Sequence, residues 1–180
     1  MKSAIYTTAS AAFQVSHILY AGSIQELPEE RRKDGNTHSF KIITTSGTSY
    51  LYFKSEETAK NARAALGAKL RDVKPNTYTY CYDIIDPKAV VSFSPVFPLK
   101  TPQGSCTHVF TVTLAANQAK EEKVWLKYKS EDNAKKGRIA LFAAISAANG
   151  ERQASSSEAP AAAPVAVAAA VSADKSGLPF

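Results

Sequence analysis

The sequence predicts an α+β fold: an internal duplication of a strand-strand-strand-helix unit, with antiparallel sheets packed against two helices and a disordered C-terminal tail. Three observations lead to this prediction. Residues 50–66 recur 75 positions later, apolar residues alternate with period two around them, and the composition changes abruptly to Ala, Ser and Pro from Ala154 onward. Period-two alternation is typical of half-buried strands.

The repeat is clearest around the predicted helices. At the constant offset of 75, residues 50–66 and 125–141 are identical at nine positions: Leu51, Lys54, Ser55, Glu56, Ala59, Lys60, Arg63, Ala65 and Leu66. His38-Ser-Phe-Lys-Ile also aligns with His108-Val-Phe-Thr-Val at an offset of 70, so the second copy has five extra loop residues. A weaker match pairs residues 13–19 with residues 91–97, at an offset of 78.

The repeat divides the chain into three parts. Residues 1–75 form the first repeat, residues 76–150 the second, and residues 151–180 a flexible Ala/Pro-rich tail. A unit of ~75 residues buries a small core by itself, so we expect the two copies to form one pseudo-twofold domain. Two separate small domains are the alternative, which the short link at residues 71–76 disfavours.

Each copy has the same predicted order of elements. Strands are predicted near residues 3–8 and 12–24 and near residues 77–84 and 89–98, with polar loops at 28–36 and 101–105. A hairpin then joins 38–45 to 48–54, and 107–115 to 123–129. Ser55 and Ser130 are the predicted N-caps of the closing helices, because a serine oxygen accepts hydrogen bonds from free amides of the first turn.

The hairpin alternation also predicts an exposed sheet face that carries rings and cations. If Phe40 and Leu51 point toward the helix, the opposite faces of the two copies carry Lys41, Tyr50, Tyr52, Lys54, Trp125, Lys127 and Lys129. The run Thr77-Tyr-Thr-Tyr-Cys-Tyr adds Tyr78, Tyr80 and Tyr82 along one side of a strand. Such faces suit a single-strand binder, since bases stack on rings and lysines meet phosphates. The alternative is that these rings pack against the other repeat, a dimer partner or one another.

A basic triplet in the first long loop is a further candidate phosphate contact. Arg31-Arg-Lys follows Glu29-Glu directly. Because acidic residues directly precede the triplet, we interpret the segment as a solvated mixed-charge loop.

The end of the tail carries a short motif. Leu178-Pro179-Phe180 resembles the tip of bacterial and phage single-stranded-DNA-binding proteins, which end in Pro-Phe after a flexible linker. The resemblance implies that Leu178, Pro179 and Phe180 recruit replication or repair proteins through the terminal ring and carboxylate. That family places several acidic residues before the tip, whereas here Asp174 stands beside Lys175. The folded part is similar, in topology, to Whirly and PUR-type single-strand binders, which place a curved sheet against helices.

Other classes of function lack their signatures. His17, His38 and His108 have no acidic or Cys partners at metal-ligand spacing, no Gly-rich loop follows a strand, and no nucleophile–base arrangement is present, so we expect no enzyme activity, metal or cofactor. No apolar run approaches the ~20 residues of a membrane span. The N-terminus lacks the apolar core of a secretory signal, and we expect Cys81 and Cys106 to be reduced thiols in a cytoplasm.

The sequence therefore predicts a non-catalytic, single-stranded DNA-binding protein of phage or bacterial origin that acts in DNA replication. Single-stranded RNA is the alternative ligand, and the sequence is also compatible with a homo-oligomer. The net charge of +6 permits attraction to a polyanion. The alternative function is a structural or protein-interaction module, such as a scaffold or virion component, whose aromatic residues form a subunit interface.

Overall fold

The computed structural model describes residues 4–9, 11–80, 82–117 and 120–156. Within them the protein has the predicted α+β fold, with antiparallel sheets and two helices. The first repeat contains β1 Ile5–Thr7, β2 Ala12–Gln14, β3 Ile18–Ala21, β4 Gln25–Glu26, β5 His38–Thr44, β6 Gly47–Phe53 and α1 Glu56–Val73. The second contains β7 Tyr78–Tyr80, β8 Asp83–Ile85, β9 Val90–Phe93, β10 Phe97–Gln103, β11 Cys106–Asn117, β12 Lys120–Tyr128 and α2 Glu131–Ser156.

The two hairpins confirm the duplication at the level of single contacts. His38 lies opposite Phe53 in the β5–β6 ladder, and His108 lies opposite Tyr128 in the β11–β12 ladder. Under each sheet two rings stack at an interplanar angle of 11°: the Phe40–Phe53 centroids are 5.3 Å apart and the Phe110–Tyr128 centroids 5.5 Å. The two copies therefore repeat the same strand register and the same ring packing.

The helix starts are also repeated, as the serine caps predict. The Ser55 hydroxyl accepts from the amide of Thr58 at 3.2 Å, and the Ser130 hydroxyl accepts from the amide of Asn133 at 3.3 Å. One turn later each helix has an ion pair, Glu56–Lys60 at 2.9 Å or Glu131–Lys135 at 2.8 Å. Side-chain acceptors and acidic residues both stabilise the first turn of a helix.

The weaker match at an offset of 78 is wrong. Ala21 pairs with Ile42, and Phe93 pairs with Val112. Because the hairpins already equate Ile42 with Val112, Ala21 corresponds to Phe93, and the true offset of these strands is 72. The predicted offset of 78 exceeds the observed offset of 72 by six residues. Because an even shift leaves the same side chains on each face of a strand, the apolar periodicity could not distinguish these two alignments.

Three predicted segments differ in detail. The strand predicted over 12–24 is broken by a 3-10 turn at Val15–His17. The predicted loop at 101–105 is instead the end of β10 and a tight turn, where Gly104 takes a φ of +59° that glycine adopts freely. Helix α2 continues to Ser156, past the predicted tail boundary at 151, because no proline interrupts the chain before Pro160.

The repeats share both a sheet and a core. Among the described residues, β4-β5-β3-β8-β7 run in that order with β6 beside β5, β9 to β12 form a second sheet, and β1 pairs with β2. The shared contact is antiparallel, with Tyr20 of β3 opposite Ile85 of β8. One buried cluster contains residues of both copies: Leu19, Ile43, Tyr78, Ile85, Phe110, Leu126 and Leu141. The second repeat therefore extends the first sheet and helps to bury its core.

Across the residues that the structure describes, neither helix combines the length and apolarity needed to cross a bilayer.

Candidate nucleic-acid interface

The outward faces of the hairpins carry the predicted rings. Phe40 and Leu51 are buried, and their neighbours in the sequence, Lys41 and Tyr50, pair with each other and point to the opposite side of the β5–β6 ladder. In the second repeat the same positions are Thr111 and Trp125. The side chains of Tyr50, Tyr52 and Trp125 are 53, 51 and 50 % exposed, respectively. Half of each residue is therefore accessible to a ligand.

A cleft between the repeats brings these two faces together. Its volume is about 280 Å³, and its walls include Lys41, Tyr50, Tyr82, Asp83, Trp125 and Lys127. We call this the inter-repeat cleft. Residues 41 and 50 come from the first hairpin and residues 125 and 127 from the second, so neither repeat could form it alone.

A second, larger cleft continues from the first. Its volume is about 730 Å³, and we call it the loop cleft because residues of the 25–36 segment form one wall, opposite Tyr50 and Tyr52. The two clefts share Gln25, Ser39 and Tyr50. Tyr50 therefore lies at the junction of a groove that runs from Tyr52 to Trp125.

The loop cleft also contains cations that the sequence analysis set aside. Arg31 and Lys33 line it, although their loop was interpreted as a solvated one. Arg32 has a different role: its guanidinium pairs with Glu26 at 2.7 Å and donates to the carbonyl of Leu27 at 3.0 Å. The basic triplet was visible in the sequence, but the position of the loop beside β6 was not.

The carboxyl group of Asp83 is buried at the base of the inter-repeat cleft. It accepts a 2.7 Å hydrogen bond from the Tyr20 hydroxyl, which belongs to the other repeat. Burial raises the pKa of Asp83 to about 6; the Tyr20 hydrogen bond, the charge of Arg63, the Ser23 amide and the charge of Lys127 act in the opposite direction. The same burial and the neighbouring carboxylate raise the pKa of Tyr20. Sequence analysis missed Asp83, since a lone acidic residue after a strand has no distinguishing pattern.

Arg63 supports this region from helix α1. Its Nε donates to the carbonyl of Gly22 at 2.8 Å, as Arg138 of α2 donates to Ser94 at 3.0 Å. The Nη2 atom of Arg63 is buried and has no hydrogen-bond partner within the described residues. Burial lowers the pKa of Arg63, whereas the charge of Asp83 raises it. The guanidinium of Arg63 and the carboxylate of Asp83 are thus two partly or fully buried groups of opposite charge that act on each other.

The four predicted lysines have different surroundings. Lys127 lines the inter-repeat cleft, and so does Lys41, whose Nζ also lies 3.9 Å from a carboxylate oxygen of Glu122 in the other repeat. Lys54 and Lys129 are exposed at equivalent strand ends, where their carbonyls accept from the Thr37 and Thr107 hydroxyls at 2.8 Å. Lys41 and Lys127 therefore line the groove, whereas Lys54 and Lys129 line neither of its two clefts.

Neither Tyr78 nor Tyr80 lies on the exposed face of the sheet. The prediction that Tyr78 contacts bases is wrong. Its side chain is 3 % exposed, and its hydroxyl lies 3.2 Å from the Tyr128 hydroxyl and from the Gly137 carbonyl. Tyr80 is half-buried, with its ring 5.8 Å from that of Tyr128. Because β7 joins the first sheet beneath α2, the side of this strand that carries the rings faces the core.

Tyr82 and Trp125 complete the walls of the inter-repeat cleft. Tyr82 departs from the strand at a φ of +78°, and its ring is largely exposed. The Trp125 ring packs edge-on against Phe97, with centroids 6.0 Å apart at 80°. This contact fixes the indole on one side and leaves the rest of it exposed.

The predicted tip, Leu178, Pro179 and Phe180, lies outside the described residues. Comparison with protein-family models, curated proteins and solved structures finds no match to this chain. The interpretation of the site therefore rests on its own side chains.

Proposed function

We propose that the protein is a non-catalytic, cytoplasmic single-stranded DNA-binding protein of phage or bacterial replication. In this proposal the strand occupies the groove formed by the inter-repeat and loop clefts, and the tip at Leu178–Phe180 recruits replication or repair proteins. Single-stranded RNA is the alternative ligand. The observation that carries the proposal is the groove itself, which is lined by half-exposed rings of both repeats together with basic side chains.

The physical basis is the pairing of stacking with phosphate neutralisation. Exposed rings on a sheet stack bases for roughly 1–3 kcal/mol each and tolerate any sequence. Tyr52, Tyr50 and Trp125 provide the rings, and Arg31, Lys33, Lys41 and Lys127 the charges. The acidic residues Glu26, Glu30 and Asp34 line the loop cleft as well. Neutralisation by the basic side chains is therefore partly offset there, and stacking supplies the larger share of affinity.

The test is fluorescence anisotropy of a labelled oligo-dT titrated with the full chain at two salt concentrations. With four phosphate contacts on a single strand, affinity falls about 50-fold between about 50 and about 200 mM salt, since each contact contributes about 0.7 to the logarithmic slope. Saturable, salt-sensitive binding supports the proposal. Absence of binding at micromolar protein and the lower salt rejects it.

One observation favours the alternative function, a protein-interaction module. Ile139 and Phe142 are largely exposed on helix α2, three residues apart, and so lie on one face of it. Neither residue lines the groove. If the protein is a scaffold or assembly component, replacing both with serine changes its oligomeric state in analytical ultracentrifugation, and the wild-type chain does not bind oligo-dT.

A further inference from the structure

The inter-repeat cleft differs from the rest of the groove in its size and in the buried carboxyl group that lines it. At about 280 Å³ it is much smaller than the loop cleft at about 730 Å³. A cavity of this size suits one small ligand. Sequence-tolerant stacking needs only an open ring, as Tyr52 offers. The inter-repeat cleft adds a buried carboxyl group to such rings.

The walls and the base of this cleft differ chemically. Tyr50, Tyr82 and Trp125 supply rings on the walls, and Asp83 supplies a carboxylate at the base. Proteins that read single strands splay out a base, stack it on aromatic rings and bond its Watson–Crick edge with polar groups. The cleft contains both kinds of group within one cavity.

The carboxylate of Asp83 limits which bases it can bond. An ionised carboxylate accepts hydrogen bonds and donates none, and its two oxygens have about four acceptor sites. The Tyr20 hydroxyl uses one of these sites, on Oδ1, and the backbone amide of Ser23 uses a second. The remaining sites favour an edge that offers adjacent donors and no acceptor between them.

Guanine alone among the common bases offers such an edge. Its N1–H and N2–H₂ groups are neighbouring donors, which match the two oxygens of a carboxylate. Adenine and cytosine place a ring-nitrogen acceptor beside the amino group, and thymine places a carbonyl on each side of its one N–H. A buried acceptor left facing another acceptor is costly, so the other three bases are disfavoured.

Building on the function proposed above, we propose that the inter-repeat cleft is a guanine-selective base site, in which Tyr50 and Trp125 stack the base and Asp83 accepts hydrogen bonds from its Watson–Crick edge. The protein is then a single-strand binder with one specific position within a sequence-tolerant groove. Lys127, which lines the same cleft, is placed to meet the phosphate of that nucleotide.

The experiment compares oligo-dT with the same oligonucleotide carrying one central dG, at about pH 8, where Asp83 is ionised. A bidentate contact discriminates by roughly 5- to 150-fold, so one dG tightens binding by that factor. Inosine, which lacks the N2 amino group, gives a smaller gain. 1-Methylguanine, which lacks N1–H, gives none. These comparisons use the wild-type chain and do not depend on any variant folding.

A variant then assigns the effect to Asp83. Asp83→Asn abolishes the preference, so that the ratio of dG to dT affinity falls to about 1, whereas Asp72→Asn, which removes an exposed carboxylate from α1, leaves that ratio and the affinity for oligo-dT unchanged. Equal affinity for dG and dT oligonucleotides, with salt-sensitive oligo-dT binding intact, overturns the guanine site and leaves the proposed function standing. Absence of binding to either oligonucleotide overturns both.

Discussion

The hydroxyl of Tyr20 donates a 2.7 Å hydrogen bond to the buried carboxylate of Asp83, and this bond joins the first repeat to the second. The two residues lie on β3 and β8, the strands through which the second repeat extends the first sheet. The same carboxylate forms the base of the inter-repeat cleft. One polar group therefore both links the repeats and lies in the cleft at which we propose that a base binds.

Burial of Asp83 makes stability depend on pH in a defined direction. The folded state raises its pKa from 3.8 to about 6, so the folded chain holds the proton more tightly than the unfolded chain. The resulting stabilisation is complete below pH 4 and is lost as the pH rises through about 6. The shift corresponds to about 3 kcal/mol, at about 1.4 kcal/mol for each pKa unit. The charged and titratable groups that act on Asp83 are Tyr20, Arg63 and Lys127.

The measurement is urea unfolding of the wild type and Asp83→Asn at several pH values from about 4 to 8. Asn cannot ionise, so the stability of the wild type relative to the variant decreases by about 2.4 kcal/mol over this range. Subtracting the variant removes the contribution of every other carboxyl group. A difference that is constant with pH contradicts the buried, raised pKa.

Removal of the groove rings weakens binding without unfolding the chain. Trp125→Ala and Tyr50→Ala each reduce affinity for oligo-dT by roughly 5- to 150-fold, because each removes a stacking platform. Val91→Ala removes exposed apolar surface outside the groove and serves as the control. Anisotropy measures affinity, and circular dichroism monitors the fold. Unchanged affinity together with an altered sedimentation coefficient favours the subunit-interface alternative.

The loop cations affect the salt dependence of binding more than the choice of base. The double variant Arg31→Ala with Lys33→Ala removes two cations of the loop cleft. The slope of log affinity against log salt therefore decreases in magnitude by about 1.4, at about 0.7 for each contact. Lys60→Ala, whose ammonium pairs with Glu56 on α1, leaves the slope unchanged. If the wild type and both variants have the same slope, the phosphates do not contact Arg31 and Lys33.

The hydroxyl of Tyr128 leaves no room for a side chain at Gly137 of α2. A Cβ atom added at residue 137 would lie 2.5 Å from that oxygen, whereas one added at Gly67 of α1 has its nearest neighbour at 3.4 Å. Gly137→Ala therefore destabilises the protein by about 1–3 kcal/mol through overpacking. Gly67→Ala, the matched control, is neutral or stabilises by up to about 1 kcal/mol through helix propensity.

The first repeat shows how this conflict can be relieved. Its equivalent residues are Phe53 and Ala62, which lack the hydroxyl and tolerate the methyl group. Adding Tyr128→Phe to Gly137→Ala therefore recovers part of the loss, measured as the shift of the urea midpoint. Equal stability of the single and double variants indicates that the hydroxyl is not the cause.

Local chemistry explains what the sequence could predict. Ser55 and Ser130 mark helix starts through their own hydroxyls, and the alternation of Phe40, Lys41 and Ile42 assigns sides within one hairpin. These features depend on residues a few positions apart. Placement of the exposed rings Tyr50 and Trp125 followed from the same alternation and agrees with the structure.

Relations between distant segments explain what it could not predict. Alternation placed Tyr78 and Tyr80 on one side of a strand, but which side is buried depends on β7 joining the first repeat's sheet. Asp83 and Arg31 line the groove only because β8 and the 25–36 loop meet hairpins far from them in sequence. No periodicity within either segment encodes such a meeting.

The strand pairing has a further consequence for how the molecule opens. Strand β3 is held between β5 and β8, and all four of its residues are buried; its counterpart β9 pairs with β11 alone in the part of the chain that the structure describes. Edge strands with exposed residues open at a lower free energy than central ones. The two descendants of one ancestral strand therefore differ in amide hydrogen exchange, with protection lost first at residues 90–93 and retained longest at residues 18–21.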